Sequence, residues 1–269
     1  MATALITGGT SGIGAAFARQ LAARGTDLVL VARNRERLES AAAQLHADSG
    51  INVEILQADL SDRADVARVV SRLEDAAHPV DLLINNAGAG VHTKLTAPDP
   101  AVHEHAFDVM CRAVLLLGGA AGRSMRDRGH GAILNVSSLQ GLMTTGSYSA
   151  MKAWVTAFSQ SLSVELRGTG VTATALLPGW VSTEWHERAG VRTSSIPDWL
   201  WTDPEDVVRV ALRDVERGRA ISIPLVRYRV IGWFLRHAPR GVIRKISAAI
   251  SSRRSEPAQL PVAKADNAR

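Results

Sequence analysis

Tyr148 and Lys152 stand four residues apart in Tyr148-Ser149-Ala150-Met151-Lys152, a spacing that puts a phenol and an ammonium on one face of a helix. A free tyrosine has a pKa of about 10, too high for base work near neutrality, and a neighbouring cation stabilises the phenolate. The pair is therefore expected to act as a proton donor and acceptor, with Lys152 lowering the phenol's pKa. About ten residues upstream, Ser137 and Ser138 close an aliphatic run, and strand alternation sends their hydroxyls to opposite faces. A second constellation opens the chain. Thr7-Gly8-Gly9-Thr10-Ser11-Gly12-Ile13-Gly14 follows Ala4-Leu5-Ile6 and leads into an alanine-rich stretch. Glycines between a strand and a helix let the backbone approach a pyrophosphate, and the helix N-terminus adds free N–H groups. A tight structural turn is the other use of such a run.

These groups must be carried by regular elements, and the hydrophobic pattern supplies them. Short β-branched or aliphatic runs predict strands at Thr3 to Thr7, Asp27 to Ala32, Asn52 to Gln57, Asp81 to Asn85, Gly131 to Ser137, Val171 to Leu177 and Ala220 to Ile223. Helical patterns fall between them, at about 13 to 24, 34 to 48, 61 to 77, 99 to 127, 149 to 168 and 204 to 217. Strands alternating with helices predict an α/β fold: a doubly wound, Rossmann-like, parallel seven-stranded sheet in a single domain, residues 1–223. Trp180 to Trp201 breaks the alternation, with four of the six tryptophans. It is read as a substrate lid over about 180–203, beyond the carboxyl end of a strand. Residues 224–255 form a basic apolar C-terminal extension, and 256–269 are too polar to pack and are expected to be a disordered tail.

The glycine spacing here is G-x-x-x-G-x-G. With Asn85-Asn86-Ala87-Gly88, Tyr148 to Lys152 and Pro178-Gly179 in order and context, it resembles the short-chain dehydrogenase/reductase family over about residues 3 to 223. The resemblance implies a carbonyl–alcohol oxidoreductase with Ser138, Tyr148 and Lys152 as the catalytic set, Ser137 being the reserve for Ser138. It implies a nicotinamide dinucleotide held by Gly8, Thr10, Ser11, Gly12, Ile13, Gly14, Asn86, Ala87, Gly88, Tyr148, Lys152, Pro178 and Gly179. Asp59 and Leu60 match the pair that contacts adenine in the family, with a helix N-cap as the other reading of Asp59. Thr183 matches the contact to the nicotinamide amide, or is an ordinary loop threonine. Arg33, in Val31-Ala32-Arg33-Asn34-Arg35, ends the second strand where a basic side chain suits the 2′-phosphate of NADP; capping of the sheet edge is its structural alternative. Met110, in Asp108-Val109-Met110-Cys111-Arg112-Ala113-Val114, departs from the family. It stands where relatives often have an asparagine that kinks the helix and holds a water next to the lysine, so the proton relay is rerouted or turnover is slow. That departure keeps an alternative open: a cofactor-binding but weakly active sensor or membrane-associated scaffold.

Composition sets the remaining bounds. At 269 residues, 46% hydrophobic and 21% charged, the chain has enough apolar residues for a large core. One cysteine, Cys111, excludes an intrachain disulfide, and no Cys/His cluster has metal-ligand spacing, so no metal is expected and a cytoplasmic setting is. No apolar run of spanning length is free of charge, the stretch from Ala113 to Gly122 being closed by Arg112 and Arg123. Met1 leads directly into an apolar run without a basic leader, so no export signal is expected. Ten of the 31 basic residues lie between Arg217 and Arg254, with no acidic residue among them. The rest of the chain, with 21 basic against 26 acidic residues, is net −5. The basicity is thus local and does not suggest nucleic acid.

Leu142, Met143, Trp180, Trp185, Trp199 and Trp201 suggest an apolar carbonyl or alcohol substrate, or else lid packing or a subunit contact. His92 and His186 have no special spacing. Between Arg227 and Arg254, the apolar face at 242, 243, 246 and 250 gives two readings: a helix packed on the core or on a subunit neighbour, or one lying on anionic lipid as a peripheral membrane attachment. Family resemblance implies a homodimer or homotetramer.

Overall fold

The computed structural model describes residues 2–88, 90–91, 93–182 and 197–252. Seven parallel strands form one sheet: β1 (Thr3–Thr7), β2 (Asp27–Ala32), β3 (Val53–Gln57), β4 (Leu82–Asn85), β5 (Gly131–Val136), β6 (Val171–Leu176) and β7 (Ile221–Ser222). Their spatial order is β3-β2-β1-β4-β5-β6-β7, the Rossmann-like doubly wound arrangement expected from the sequence. The winding reverses between β1 and β4, and a crevice opens there at the carboxyl ends of the strands. Every predicted strand is present, each boundary falling within a residue of the hydrophobic run that encodes it.

Both faces of the sheet are covered, which is why its strands are near-continuous in apolar residues rather than alternating. On one face α1 (Gly12–Ala22), α2 (Arg35–Ser49) and α7 (Pro204–Glu216) bury Phe17, Leu21, Leu38, Val208 and Leu212 against Ile6, Leu30 and Leu134. On the other, α3 (Arg63–Leu73), α5 (Ala113–Arg128) and α6 (Ser147–Glu165) bury Val69, Leu117, Ala121 and Leu162 against Leu5, Val29 and Ile133. The helix starts follow their caps: Asn34, Asp62 and Asp203 each accept a backbone N–H of the first turn with their side chains.

The single long helix predicted from 99 to 127 is interrupted. α4 (Ala101–Phe107) passes through a π-helical turn at Asp108–Arg112 before continuing as α5. By length and composition Ala101–Arg128 is apolar enough to cross a membrane, but 61% of its most apolar window is buried inside the protein. The segment read as a basic extension folds into α8 (Val226–His237) and α9 (Arg240–Ser252). Tyr228 of α8 packs with Leu139, Ala175 and Leu177 in the same body as the sheet.

Candidate active site

A cavity of about 200 Å³ at the β1/β4 switch point is lined by Gly8, Ser11, Gly12, Ile13, Asn86, Ala87, Gly88, Ser138, Tyr148, Lys152, Pro178 and Gly179, among others. The glycine loop forms one wall. A side chain on Gly14 would put its Cβ 2.2 Å from the Gly8 carbonyl oxygen, and Gly8 itself has φ +67°, so the loop needs glycine at both positions. Asn86 fastens it: its Nδ2 donates to the Thr7 and Gly8 carbonyls at 3.0 and 3.2 Å, while Thr7 Oγ1 accepts the Asn86 and Ala87 N–H groups. Unlike α2, α3 and α7, α1 starts at Ser11 with no side-chain cap and no acidic residue in its first turn. Its positive end therefore has no negative side chain of its own in the first turn. Thr10 is half-buried in the loop and does not line the cavity.

The opposite wall holds the proton-transfer candidates. Tyr148 lies in the first turn of α6, half-buried, and its phenol is hydrogen-bonded to Ser138. Ser137 is turned away: its hydroxyl donates to the Lys152 carbonyl at 2.6 Å and pairs with Thr156 Oγ1 at 2.7 Å. The two serines thus diverge as strand alternation requires, with Ser138 beside the tyrosine. Lys152 is buried, and its Nζ donates to the Val136 carbonyl at 2.7 Å.

The expected lowering of the phenol's pKa is not what this geometry gives. Burial pushes Tyr148 up to about 12, against a smaller opposing effect from Ser138. Burial also brings Lys152 down to about 8. The ammonium lies 5.7 Å from the tyrosine ring centroid and spends a proton on Val136, so removal of the phenol from water outweighs the cation.

Met110 is buried in the π-helical turn with Val91, Cys111 and Met151. The regular α-helical pattern is thus interrupted here without an asparagine, at a π-turn of the kind that commonly accompanies kinks. The Met110 sulfur and the Lys152 ammonium both face Gly88, at 3.7 and 3.8 Å from where a Cβ would stand. The neighbouring Cys111 thiol is pushed up to about 11 by burial, with Lys152 opposing.

A second hollow, of about 560 Å³, lies at the ends of β2 and β3 and is lined by Arg33, Arg35, Gln57, Asp59, Asp65 and Arg68 among others. Arg35 is tied to Glu39 and Arg68 to Asp65. Arg33 is exposed and makes no ion pair or hydrogen bond through its guanidinium among the described residues. Burial alone would raise Asp59, but the Ser61 N–H and hydroxyl, with the Arg33 charge, hold it below the usual carboxylate range. Asp59 is not the cap of α3, which is Asp62. The Leu60 side chain enters the core instead of the hollow.

Tyr228 was not singled out from the sequence, although it is the only tyrosine besides Tyr148. Its ring lies where a Gly179 side chain would be, 2.0 Å from the position of a Cβ. Its hydroxyl accepts the Trp180 N–H at 2.9 Å and donates to the Leu200 carbonyl. Arg227 adds bonds to the Trp201 carbonyl and Thr202 Oγ1 at 2.9 and 3.1 Å. One helix thus holds the Pro178-Gly179 turn and both ends of the segment read as a lid. Trp180 and Trp201 face each other at 6.2 Å, whereas Trp199 is 62% exposed. Thr183, Trp185, His92 and His186 lie outside the described residues, as does the 256–269 tail.

The family model for short chain dehydrogenases matches residues 2–192. The chain belongs to that family. An uncharacterized oxidoreductase of Staphylococcus saprophyticus is 30% identical over 234 residues, covering 85% of this chain and 97% of the relative. Among solved structures, a short-chain dehydrogenase from Sphingobium yanoikuyae in complex with NADPH is 36% identical, with a TM-score of 0.81 over 90% of this chain and 95% of that one. The bulky-bulky ketone specific alcohol dehydrogenase from Comamonas testosteroni is 31% identical, with a TM-score of 0.77 over 90% and 93%. As a member of the short-chain dehydrogenases this chain is an oxidoreductase.

Proposed function

We propose that this oxidoreductase interconverts a carbonyl and an alcohol on a bulky apolar substrate with NADP(H). The observation that carries the reading is the meeting of Ser138, Tyr148 and Lys152 with the glycine loop around one cavity. The glycine-only contact at Gly14 and the uncapped start of α1 fit a dinucleotide pyrophosphate. The unpaired Arg33 supports a 2′-phosphate, as does the NADPH complex of the Sphingobium relative. Trp180 and Trp201, together with the bulky ketones of the Comamonas enzyme, support the substrate class.

When bound, the nicotinamide supplies the hydride donor or acceptor. In reduction the Tyr148 O–H gives its proton to the carbonyl oxygen as that oxygen gains charge, and Ser138 donates a hydrogen bond to it. A phenol held up at about 12 keeps its proton at neutral pH, so this chain starts from the state that reduction needs. Lys152, largely protonated at neutral pH, offers an ammonium to the cofactor ribose and a positive field to the phenolate left behind. The reaction is proposed for the cytoplasm, in a homodimer or homotetramer.

Stopped-flow oxidation of NADPH against a panel of bulky aryl and alkyl ketones tests the proposal. Tyr148→Phe should slow turnover by about a thousandfold and leave NADPH affinity within about twofold, since it removes one hydroxyl from a wall of the site. Unchanged turnover in that variant rejects the assignment. NADPH binding without oxidation by any ketone favours the sensor alternative.

A further inference from the structure

α8 has apolar residues on two sides. Tyr228, Gly232 and Leu235 face inward, with Ile231 half-buried beside them. On the other side Val226, Val230, Trp233 and Phe234 are exposed, Val226 by 72% and Trp233 by 63%. Their positions, together with His237, follow the helical period and make one stripe along the whole of α8, about 17 Å long. The His237 ring stacks on Trp233 at 4.7 Å. Arg229 and Arg236 are exposed on the same helix, and Arg240, Val242, Arg244, Lys245 and Ile250 are exposed on α9, which follows it directly. None of these five cations is paired with a carboxylate among the described residues, and the sequence holds no acidic residue from Arg217 to Arg254. Elsewhere on the surface Arg19, Arg24, Arg35 and Arg123 are each matched by a glutamate.

An exposed aromatic stripe fringed by charge of one sign needs a partner that is apolar at depth and anionic at its surface. A second copy of the chain meets the first condition but not the second, because a two-fold contact would set five cations against five. We propose that the outer face of α8, with the basic side chains of α9, docks on an anionic lipid bilayer. Trp233 and Phe234 enter the boundary between headgroups and acyl chains, and the arginines and Lys245 lie among the headgroups. The inner face of α8 meanwhile holds Trp180 and Leu200 through Tyr228, and Ser247 of α9 accepts the Thr144 N–H at 3.1 Å. The docked helices are therefore those that brace the substrate end of the cavity. The docking itself is independent of the reaction proposed above.

The test is cosedimentation of the full chain with vesicles of phosphatidylcholine alone and of phosphatidylcholine mixed with phosphatidylglycerol. The protein should pellet with the mixed vesicles, stay in solution with the neutral ones, and be released as salt screens the headgroups. The double variants Trp233→Ser/Phe234→Ser and Arg236→Glu/Arg240→Glu should each lower partitioning by about tenfold or more. Circular dichroism melting should match the parent, since all four side chains are exposed. The proposal is overturned by equal pelleting with both kinds of vesicle or with neither, by partitioning unchanged in both double variants, or by capture on polyglutamate beads without vesicle binding, which assigns the patch to an acidic protein. A fall in the sedimentation coefficient of the lipid-free Trp233→Ser/Phe234→Ser variant, with no vesicle binding by the parent, assigns it to a second copy and also overturns it.

Discussion

The two ends of the cavity are built in different ways. At the glycine loop the backbone itself is the wall, and its shape is fixed by contacts a few residues long together with Asn86 from the adjoining strand. At the other end the same crevice is closed by residues from far along the chain: Tyr228 and Arg227 reach back to Gly179, Trp180, Leu200 and Trp201. The first design leaves little freedom to change without distorting the loop. The second rests on two neighbouring side chains of one helix, the Tyr228 phenol and the Arg227 guanidinium.

Substitutions at the two ends should therefore differ in kind as well as in size. Gly14→Val should have the largest effect. Its Cβ has nowhere to go but into the Gly8 carbonyl, so NADPH affinity, read by fluorescence titration, should fall by hundreds of times or more through strain of a few kcal/mol in the loop. Arg33→Ala should weaken NADPH by about ten- to a hundredfold and NADH by little, because a charge-assisted bond to phosphate contributes about 1.5–3 kcal/mol. The same titration with both cofactors measures the ratio.

Lys152 belongs to both ends, and its contribution should be visible in pH. The ammonium is charged below about 8 and neutral above it. For reduction, kcat/KM should accordingly be level below that pH and fall by up to about tenfold per unit above it, while the phenol stays protonated to about 12. A pH–rate profile from 6 to about 10 checks the break point. Tyr228→Phe should have the smallest effect. Losing the bonds to Trp180 and Leu200 costs about 1–2 kcal/mol, so KM for a bulky ketone should rise a few-fold with NADPH affinity unchanged. A small aldehyde should feel the change less than a bulky ketone, which steady-state kinetics on both would show.

What could be read from the sequence follows the same division. The strands, the helix that carries Tyr148 and Lys152, and the glycine loop depend on local periodicity and on residues with special backbone freedom, and the fold carries them where those signals put them. The divergence of Ser137 and Ser138 is also local, a consequence of strand alternation. The state of the tyrosine was not legible. Spacing reveals which charge is near but not how much water is lost, and here burial is the larger effect. Nor was Tyr228 legible, because its partners lie 28 and 48 residues away and no short-range pattern encodes the meeting. Met110 is intermediate: the departure from the family was visible, but the π-helical turn that contains it was not.

The clasp formed by Tyr228 has a consequence for chain length. It draws Trp180 and Leu200 onto one hydroxyl, and Ser182 and Thr202 are joined by a backbone bond of 2.9 Å, so residues 180–182 and 200–202 are held side by side. Lengthening a loop whose ends are already pinned costs only about 0.6 kcal/mol for each doubling. Changes of length between two such pinned points therefore cost the described body little, and Tyr148 and Lys152, carried on α6, stay where they are.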